Sequence, residues 1–144
     1  MLTPLAHLLE LPDKFSLDAS LWLAVQQHLY RGWGPFLAGP AEIGALASTL
    51  FLVHLRRRGG RVLLLTVIAC VGYAGMLAAF FVLNEPVNVA VSLWTSLTIP
   101  SDWTSYRIRW EIGHGIAAAL SVISSAVLVW AYRIEERLRR PTSP

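Results

Sequence analysis

The chain has 144 residues, of which 55% are hydrophobic and 15% charged, and its mean hydropathy is +0.53. This composition is too apolar for an ordinary soluble domain. Cys70 is the only cysteine, so a scaffold of intrachain disulfides is excluded. The net charge of +3 is compatible with nucleic-acid binding, but the distribution of the charges along the chain indicates a membrane protein instead.

Residues 1–34 are predicted to form an outer or interfacial arm. Residues 1–11 are apolar but too few to cross a bilayer, and no cleavable signal pattern is present. Apolar side chains then recur every four residues, at Leu17, Leu21, Val25 and Leu29. This spacing predicts a helix over residues 15–30 that lies in the membrane interface, with Ser16 or Asp18 as its N-terminal cap.

Three later stretches hold almost no charge: residues 35–55, 62–83 and 112–132. Glu42 is the one formal charge within them. A helix needs about 20 apolar residues to cross a bilayer, and a helix satisfies its own backbone polar groups there. We therefore predict an all-α integral membrane bundle with three spanning helices and an N-terminal interfacial helix, as one membrane domain over residues 1–144.

Arginines flank these stretches on one side of the membrane. They lie between the first two spans, at Arg56, Arg57, Arg58 and Arg61, and after the third, at Arg133, Arg137, Arg139 and Arg140. The positive-inside rule makes both clusters cytoplasmic, so residues 133–144 form a cytoplasmic tail and residues 84–111 an outer loop. Membrane orientation accounts for the arginines, and no nucleic-acid partner is expected.

Small residues recur every four positions in each span. They are Gly113, Ala117, Ser121 and Ser125 in the third, Cys70, Ala74 and Ala78 in the second, and Ala41 and Ala45 in the first. Small side chains let helix backbones approach closely in lipid, so these positions are predicted to form the helix contacts. Cys70 is then a packing residue, and self-association of the chain stays open.

Polar residues converge on the outer ends of the spans. Glu42 lies about 10 Å inside its span, at 1.5 Å per residue, where a carboxylate is costly unless it is paired or protonated. Asn84, Glu85 and Asn88 follow the second span at the same level. Glu42 is either a functional residue or a protonated group bonded to a neighbouring helix, and we include it with the substrate-binding candidates.

The segment over residues 103–114 has the highest density of candidate functional side chains. On a helix, Trp103, Arg107, Trp110 and His114 form one stripe, with Tyr106 and Arg109 beside it. Asp102 or Ser101 would cap this helix. The arginines could pair with Glu111 or Glu85, hold an anion, or grip a flat ring by stacking. An interfacial aromatic belt with structural ion pairs is the alternative to a pocket.

His114 could serve as a base, a ligand or a packed polar group. Glu111 precedes it by three residues, the spacing that di-iron bundles use twice, but no matching second copy is present. A metal centre drawn from Glu111, His114, Glu42, His7 and Glu10 is therefore a minor alternative, no metal ligand is predicted, and the cofactor is unknown. His28 and His54 are interpreted as structural.

The run over residues 84–114 has a pattern found in one family. Its elements are Asn84-x-Pro86-x-Asn88, a tryptophan, Asp102-Trp103, Tyr106-Arg107, Arg109-Trp110-Glu111 and His114. This pattern resembles the anthrone-oxygenase-like family of small four-helix membrane proteins, long catalogued as a domain of unknown function. Residues 6–14 and 27–33 resemble the segment after the first helix of bacterial members. The resemblance thus covers most of the chain and implies that the family's first helix would lie upstream of Met1.

The resemblance also implies a function. Fungal relatives are associated with oxidising anthrones to anthraquinones, which would make this chain a membrane oxidoreductase or oxygenase for a lipophilic, aromatic substrate. The matching positions are Asn84, Asn88, Trp103, Tyr106, Arg107, Trp110 and His114. His114 or Glu111 would remove a proton from a phenolic or benzylic carbon acid. Arg107 or Arg109 would stabilise the anion while oxygen takes the electrons.

Two other functions stay open. The first is a non-catalytic membrane module that binds a lipid, a quinone or a partner helix through the same aromatic surface. The second, less favoured, is transport of protons or a small ion past Glu42. The expected partners are the lipid bilayer and a lipophilic small molecule, and the expected location is the bacterial inner (plasma) membrane with the C-terminus in the cytoplasm.

Overall fold

The computed structural model describes residues 2–56 and 60–140 of the chain. Within these ranges the chain is helical and contains no strand, which confirms the all-α prediction. Three helical stretches are long and apolar enough to cross a membrane: Gly34–Leu55, Arg61–Ser92 and Trp103–Arg139. The predicted helical bundle with three candidate spans is therefore the observed architecture.

The N-terminal arm, residues 2–33, is built from short helices. They are α1 (Leu2–Leu9), α2 (Leu11–Ser16) and α3 (Ala19–Ala24), which continues into a π-helical turn at Val25–Leu29. The helix predicted over residues 15–30 is thus interrupted at Leu17 and Asp18. Asp18 is the cap of α3, because its carboxylate accepts the Leu21 N–H at 2.9 Å, whereas the Ser16 hydroxyl donates back to the Asp13 carbonyl.

The buried face of the arm is not centred on the predicted stripe of apolar residues over residues 17–29. Trp22 and Leu23 are buried and join a core cluster with Val87, Val91 and Trp110. Leu21 and Leu29, from the predicted stripe, are more than half exposed. Leu17, the first member of the stripe, packs against that cluster, so only part of the stripe faces away from the protein, where an interfacial helix would meet lipid.

The spanning stretches are longer than their apolar cores. A π-helical turn at Gly34–Ala38 leads into α4 (Gly39–Leu55), while α5 (Arg61–Ala79) continues through a π-helical turn at Phe80–Asn84 into α6 (Glu85–Ser92), and α7 is Trp103–Arg139. Most of the segment predicted as an outer loop, residues 84–111, is helical, and only residues 93–102 lie outside helices. The helix expected over residues 103–114 is present as the start of α7. The polar residues of the segment end the apolar run without ending the helix, and Pro86 fits the first turn of α6.

The α5–α7 contact is the most extensive in the fold. The predicted packing stripe of α7 is confirmed at Gly113, Ala117 and Ser121, all of which are buried. Gly72 of α5 lies directly against Ser124, so that a β-carbon at position 72 would collide with the Ser124 hydroxyl. Two small residues thus let the two backbones approach closely.

The packing stripe predicted for α5 is wrong. Ala74 and Ala78 are exposed, and the buried face carries Ala69, Tyr73 and Met76 instead. Alanine is compatible with lipid as well as with a helix contact, so its spacing alone does not identify the packed face. Cys70, the third member of that stripe, is half-buried.

Helix α4 is peripheral. Among the spanning helices it packs against α5, where Ala45 and Leu46 contact the buried cluster around Tyr73 and Met76. Only 11% of the 18-residue apolar stretch in this span is buried, against 28% of the corresponding stretch in each of the other two spans. Ala41 is exposed, so the packing predicted for that residue is wrong. The N-terminal half of α4 stands away from the arm and borders a cavity.

The bundle has two distinct ends. We call the end with residues 2–33 and 84–114 the arm end, and the end with Arg56, Arg61 and residues 133–140 the arginine end. Arg56 bonds Glu135 and donates to Thr66 Oγ1 at 2.9 Å, and Arg61 lies over the Trp130 ring. Some residues of these predictions lie outside the described ranges: Met1 of the arm, Arg57 and Arg58 of the first arginine cluster, and residues 141–144 of the tail.

Candidate functional site at the arm end

Two side chains of α7, one helical turn apart, hold the arm in place. The buried Lys14 Nζ lies 3.0 and 3.1 Å from the two carboxylate oxygens of Glu111. Arg107 Nη1 donates to the backbone carbonyls of Lys14 and Leu17, at 3.2 and 3.1 Å, where α2 ends. The Arg107 guanidinium also stacks over Trp103. The predicted catalytic residues Glu111 and Arg107 are therefore engaged in anchoring the arm to α7.

Beside this anchor, His7 lies inside a cage of rings. Its ring centroid is 4.7 Å from that of Tyr30, 4.8 Å from that of Trp110, 5.8 Å from that of Trp33 and 4.3 Å from that of His114. Burial, followed by the positive charge of Lys14, lowers the pKa of His7 to about 4. His7 is thus neutral at pH 7.

Glu10 links His7 to the surface. Its Oε2 lies 3.4 Å from His7 Nδ1 and accepts a hydrogen bond from the Tyr30 hydroxyl, while Lys14 Nζ lies 3.7 Å away. Burial and this bond to Glu10 raise the pKa of Tyr30, which therefore stays a hydroxyl donor. Glu10 is the half-exposed member of the group, so a polar chain runs from His7 to the protein surface.

His114 lies against one group of its own helix and one group of the π-helical turn Phe80–Asn84. Its Nδ1 lies 2.9 Å from the Trp110 carbonyl, one turn earlier on α7, and 2.6 Å from the Asn84 amide nitrogen. Asn84 also donates to the same carbonyl at 2.8 Å, and its side chain fills the space above Gly113. Nδ1 cannot bond both groups at once, because the carbonyl only accepts and the amide nitrogen only donates. With its proton on Nδ1, His114 donates to the Trp110 carbonyl and keeps a lone pair on Nε2. Without that proton, Nδ1 accepts from Asn84 and Nε2 carries the proton.

Asn88 and Arg109 complete the contacts between α6 and α7. Asn88 Oδ1 accepts the indole N–H of Trp110 at 2.9 Å. Arg109 Nη2 donates at 2.7 Å to the carbonyl of Val82. That carbonyl lies four residues before Pro86, which has no N–H to offer it. Arg109 therefore satisfies a backbone group that the proline leaves free.

A cavity of about 900 Å³ lies between these groups and the N-terminal half of α4. Its wall is rich in aromatic side chains: Tyr30, Trp33, Phe80, Phe81, Trp94 and Trp110. Polar side chains lie among them: His7, Gln26, Gln27, His28, Arg31, Glu42, Glu85, Asn88, Ser92 and His114. The surface of the cavity is nevertheless mainly apolar, and a mainly apolar cavity of this size with polar groups in its wall is typical of sites for lipophilic small molecules.

All three π-helical turns border this cavity. Val25–Leu29 contributes Gln26, Gly34–Ala38 contributes Pro35 and Phe80–Asn84 contributes Phe80. A π-helical turn inserts one extra residue into a helix and re-aims the side chains around it, and such turns are frequent at functional sites. Their concentration here distinguishes the arm end from the regular helices at the arginine end.

Some of the predicted site residues line the cavity and others do not. His114, Trp110, Asn88 and Glu42 are in the wall, and Asn84 stands behind His114. Glu111, Arg107 and Arg109 bond the arm or the backbone, and Trp103 and Tyr106 pack around the Trp22 core cluster. Asp102 occupies the N-cap position of α7 but its side chain makes no cap hydrogen bond.

Several site residues came only from the structure. The sequence marks His7 and Glu10 only as minor metal candidates, and no local pattern identifies Lys14, Tyr30, Trp33 or Gln26 as site residues. Lys14 is the only lysine of the chain, and this was the one available signal. In the ranges 2–56 and 60–140, no three His, Cys, Asp or Glu side chains are grouped closely enough to hold a metal ion.

No family model, curated protein or solved structure matches this chain.

Proposed function

We propose that this membrane protein binds a lipophilic, aromatic small molecule in the arm-end cavity and oxidises it with molecular oxygen. The observation that carries the proposal is the pair of imidazoles, His7 and His114, in the wall of a cavity whose surface is mainly apolar and includes several aromatic rings. The resemblance of residues 84–114 to the anthrone-oxygenase-like family points to the same chemistry.

Binding is supported by the size and lining of the cavity. About 900 Å³ accommodates a molecule of several fused rings. Tyr30, Trp33, Trp94 and Trp110 offer ring faces and edges for stacking, each such contact contributing about 1 kcal/mol beyond the burial of apolar surface. A lipophilic molecule that enters from the bilayer would exchange lipid contacts for these ring contacts.

Proton transfer is supported by the setting of His114. In the tautomer with Nδ1–H bonded to the Trp110 carbonyl, Nε2 holds a lone pair and can accept a proton from an acidic benzylic carbon. O₂ then oxidises the carbanion, and the balance is R₂CH₂ + O₂ → R₂CO + H₂O. His114 returns its proton to the departing oxygen, which leaves as water.

His7 assists in the same step. It is neutral at pH 7 because burial and Lys14 lower its pKa to about 4, and its ring lies against that of His114. When a proton reaches His7, the Glu10 carboxylate, 3.4 Å from its Nδ1, stabilises the imidazolium. Because Glu10 is partly exposed, it can pass that proton on to the protein surface. Glu111 and Arg107 act indirectly, by keeping the arm closed over His114.

Oxygen uptake by the purified protein in lipid tests the proposal. With anthrone as substrate, the wild-type chain is expected to consume one O₂ for each ketone formed. His114→Ala should slow this turnover by about 100-fold or more, the usual contribution of a general base. His54→Ala is the matched control, since His54 is exposed near the C-terminal end of α4 and should leave the rate unchanged. Equal rates in all three chains would overturn the proposal.

A non-catalytic binding module is the second candidate. It is favoured by the engagement of Glu111, Arg107 and Arg109 in anchoring contacts, which leaves these charged groups outside the cavity wall. Under this alternative the aromatic cavity holds a lipid or a quinone without turnover. Saturable quenching of tryptophan fluorescence by a ring compound, with no oxygen uptake and no effect of His114→Ala, would support the binding module over the oxidase.

The location and orientation remain part of the proposal. The arginine end is expected on the cytoplasmic side of a bacterial inner membrane, with the arm end on the outer side. Spheroplasts should then expose Asp13→Cys, on the surface of the arm, to a membrane-impermeant thiol reagent. Arg137→Cys near the end of α7 should react only after the membrane is opened.

A further inference from the structure

Gln26 is a buried amide whose nitrogen has no hydrogen-bond partner. Its side chain lies on the π-helical turn Val25–Leu29 and borders the cavity. The residue is only 9% exposed, and Nε2 finds no acceptor among the described residues. Buried polar atoms in native proteins are almost always bonded, so an exception that borders a cavity indicates a missing partner.

The neighbouring Gln27 shows what a satisfied amide looks like here. Its Nε2 donates to the carbonyls of Val91 and Trp94, at 2.8 and 2.9 Å, and thereby ties the arm to the end of α6. The two glutamines share one helical turn and one cavity wall. Gln27 is engaged by the fold, whereas the Gln26 amide nitrogen has no partner within the described part of the fold.

The cost of this arrangement depends on what fills the cavity. An unsatisfied buried donor destabilises the folded chain, and a ligand oxygen placed against it removes that penalty and fixes the orientation of the ligand. A purely hydrocarbon ligand would leave the penalty in place. This difference would favour an oxygen-bearing molecule over a flat hydrocarbon.

We propose that the Gln26 side chain, whose Nε2 is closed off from the cavity in this conformation, rotates toward a bound molecule and donates a hydrogen bond from Nε2 to a carbonyl or phenolate oxygen of that molecule. The ligand class is then a lipophilic ring compound with at least one such oxygen. The inference rests on the proposed use of the cavity, and it assigns the orientation of the molecule: its oxygen faces the arm, and its rings lie against the tryptophans of the wall. On a substrate that loses a proton, the same N–H stabilises the developing oxyanion.

A matched pair of ligands tests this assignment. Fluorenone and fluorene have nearly the same flat shape and differ in the carbonyl oxygen. Their dissociation constants would be measured by quenching of tryptophan fluorescence in proteoliposomes, for the wild-type chain, Gln26→Met and the control Leu29→Met, whose residue is exposed on the same turn. The ratio of the two constants is compared between chains, because the two ligands partition differently into lipid.

In the wild-type chain and Leu29→Met, this ratio should favour fluorenone by roughly three- to tenfold more than in Gln26→Met. The fluorene constant should be the same in all three chains. An unchanged ratio in Gln26→Met overturns the assignment of Gln26 and leaves cavity binding standing. Saturable binding of neither ligand to the wild-type chain overturns the proposed function as well.

A second measurement needs no variant, in case Gln26→Met does not fold. The infrared carbonyl stretch of fluorenone bound to the wild-type chain should lie below its position in a lipid bilayer, because a hydrogen bond weakens the C=O bond. A bound fluorenone band at the bilayer position would show an unbonded carbonyl and overturn the inference.

Discussion

The two ends of the bundle use their charged residues differently. At the arm end, Lys14 and Glu111 form an ion pair in which both side chains are at most 5% exposed. At the arginine end, Arg139 pairs with Glu135 and Arg140 pairs with Glu136. Both arginine side chains are at least 75% exposed. Arg56 also bonds Glu135, with side chains 14% and 25% exposed, and joins the end of α4 to α7. The arm-end pair is the more deeply buried of the two pairs that fix one segment against another, whereas the pairs of Arg139 and Arg140 lie on one exposed helix end.

The helix packing differs in the same sense. Between the ends, α5 and α7 meet closely through small residues such as Gly72 and Ser124. At the arm end, π-helical turns and large rings hold the elements apart around about 900 Å³. Close packing stabilises the bundle, and the less regular end keeps room for a ligand. The predictions that follow test this contrast.

The largest effect is expected from breaking the buried ion pair. Lys14→Met leaves the Glu111 carboxylate buried without its partner and should lower the free energy of unfolding by about 3–5 kcal/mol. Arg139→Met, at the exposed pair, should cost less than about 1 kcal/mol. Unfolding in mixed micelles of increasing SDS content measures both.

Adding Glu111→Leu to Lys14→Met should restore much of the lost stability, because no unpaired charge then remains. This double variant separates loss of a charge partner from loss of side-chain packing. Similar costs for Lys14→Met and Arg139→Met would contradict the distinction drawn between the two ends.

Gly113→Ala should have the next largest effect. The new methyl group would overlap the Asn84 side chain, which holds His114, so we expect a loss of about 1–3 kcal/mol in stability. Oxygen uptake should fall as well. Gly115→Ala is the control, since its β-carbon would meet only the Leu8 side chain at an ordinary 3.9 Å. Equal behaviour of the two variants would argue against a close Asn84–Gly113 contact.

Acid should weaken the arm end selectively. The pKa of His7 is lowered from 6.5 to about 4 in the folded chain, so the unfolded chain binds more protons in this interval. Stability is then full above pH 6.5 and falls as the pH drops toward 4. The free energy of unfolding, measured at several pH values in this range, should depend less on pH in His7→Gln than in the wild-type chain. Glu10, Lys14 and His114 also face this imidazole. An unchanged slope in His7→Gln would contradict the assignment of the acid sensitivity to His7.

The smallest effect is expected between the two ends. Tyr73→Phe removes the hydrogen bond between the Tyr73 hydroxyl and Ser125 Oγ, 2.9 Å apart, and should cost about 0.6 kcal/mol. Tyr132→Phe, whose ring is 59% exposed, should cost nothing measurable. A loss of several kcal/mol on Tyr73→Phe would indicate a polar contact as important there as at the arm end.

Local sequence features were sufficient for the spans and for part of the site. Charge is so sparse over residues 35–55, 62–83 and 112–132 that three membrane helices follow from hydropathy. The stripe that brings Trp110 and His114 to one side of α7 follows from helical periodicity. These features depend on neighbours along the chain, and the helices confirm the predicted bundle.

Contacts of the arm could not be predicted in this way. His7, Lys14 and Tyr30 meet α7 across 80 or more residues of sequence, and no local pattern encodes such a meeting. The sequence predicts Arg107 as an anion-binding residue, whereas the structure shows that it bonds the backbone of the arm. An arginine among aromatic residues has the same sequence pattern in these two roles. The position of the backbone carbonyls at the end of α2 decides between the roles, and only the fold gives that position.

Photo-crosslinking with benzophenone, an aromatic ketone, in proteoliposomes tests the central claim most directly. If the arm-end cavity holds lipophilic aromatic molecules, mass spectrometry should find the label on wall residues such as Trp33, Phe80 and Trp94, and excess fluorenone should remove it. Labelling spread over exposed apolar side chains such as Phe51 and Trp130, unaffected by fluorenone, would contradict the account.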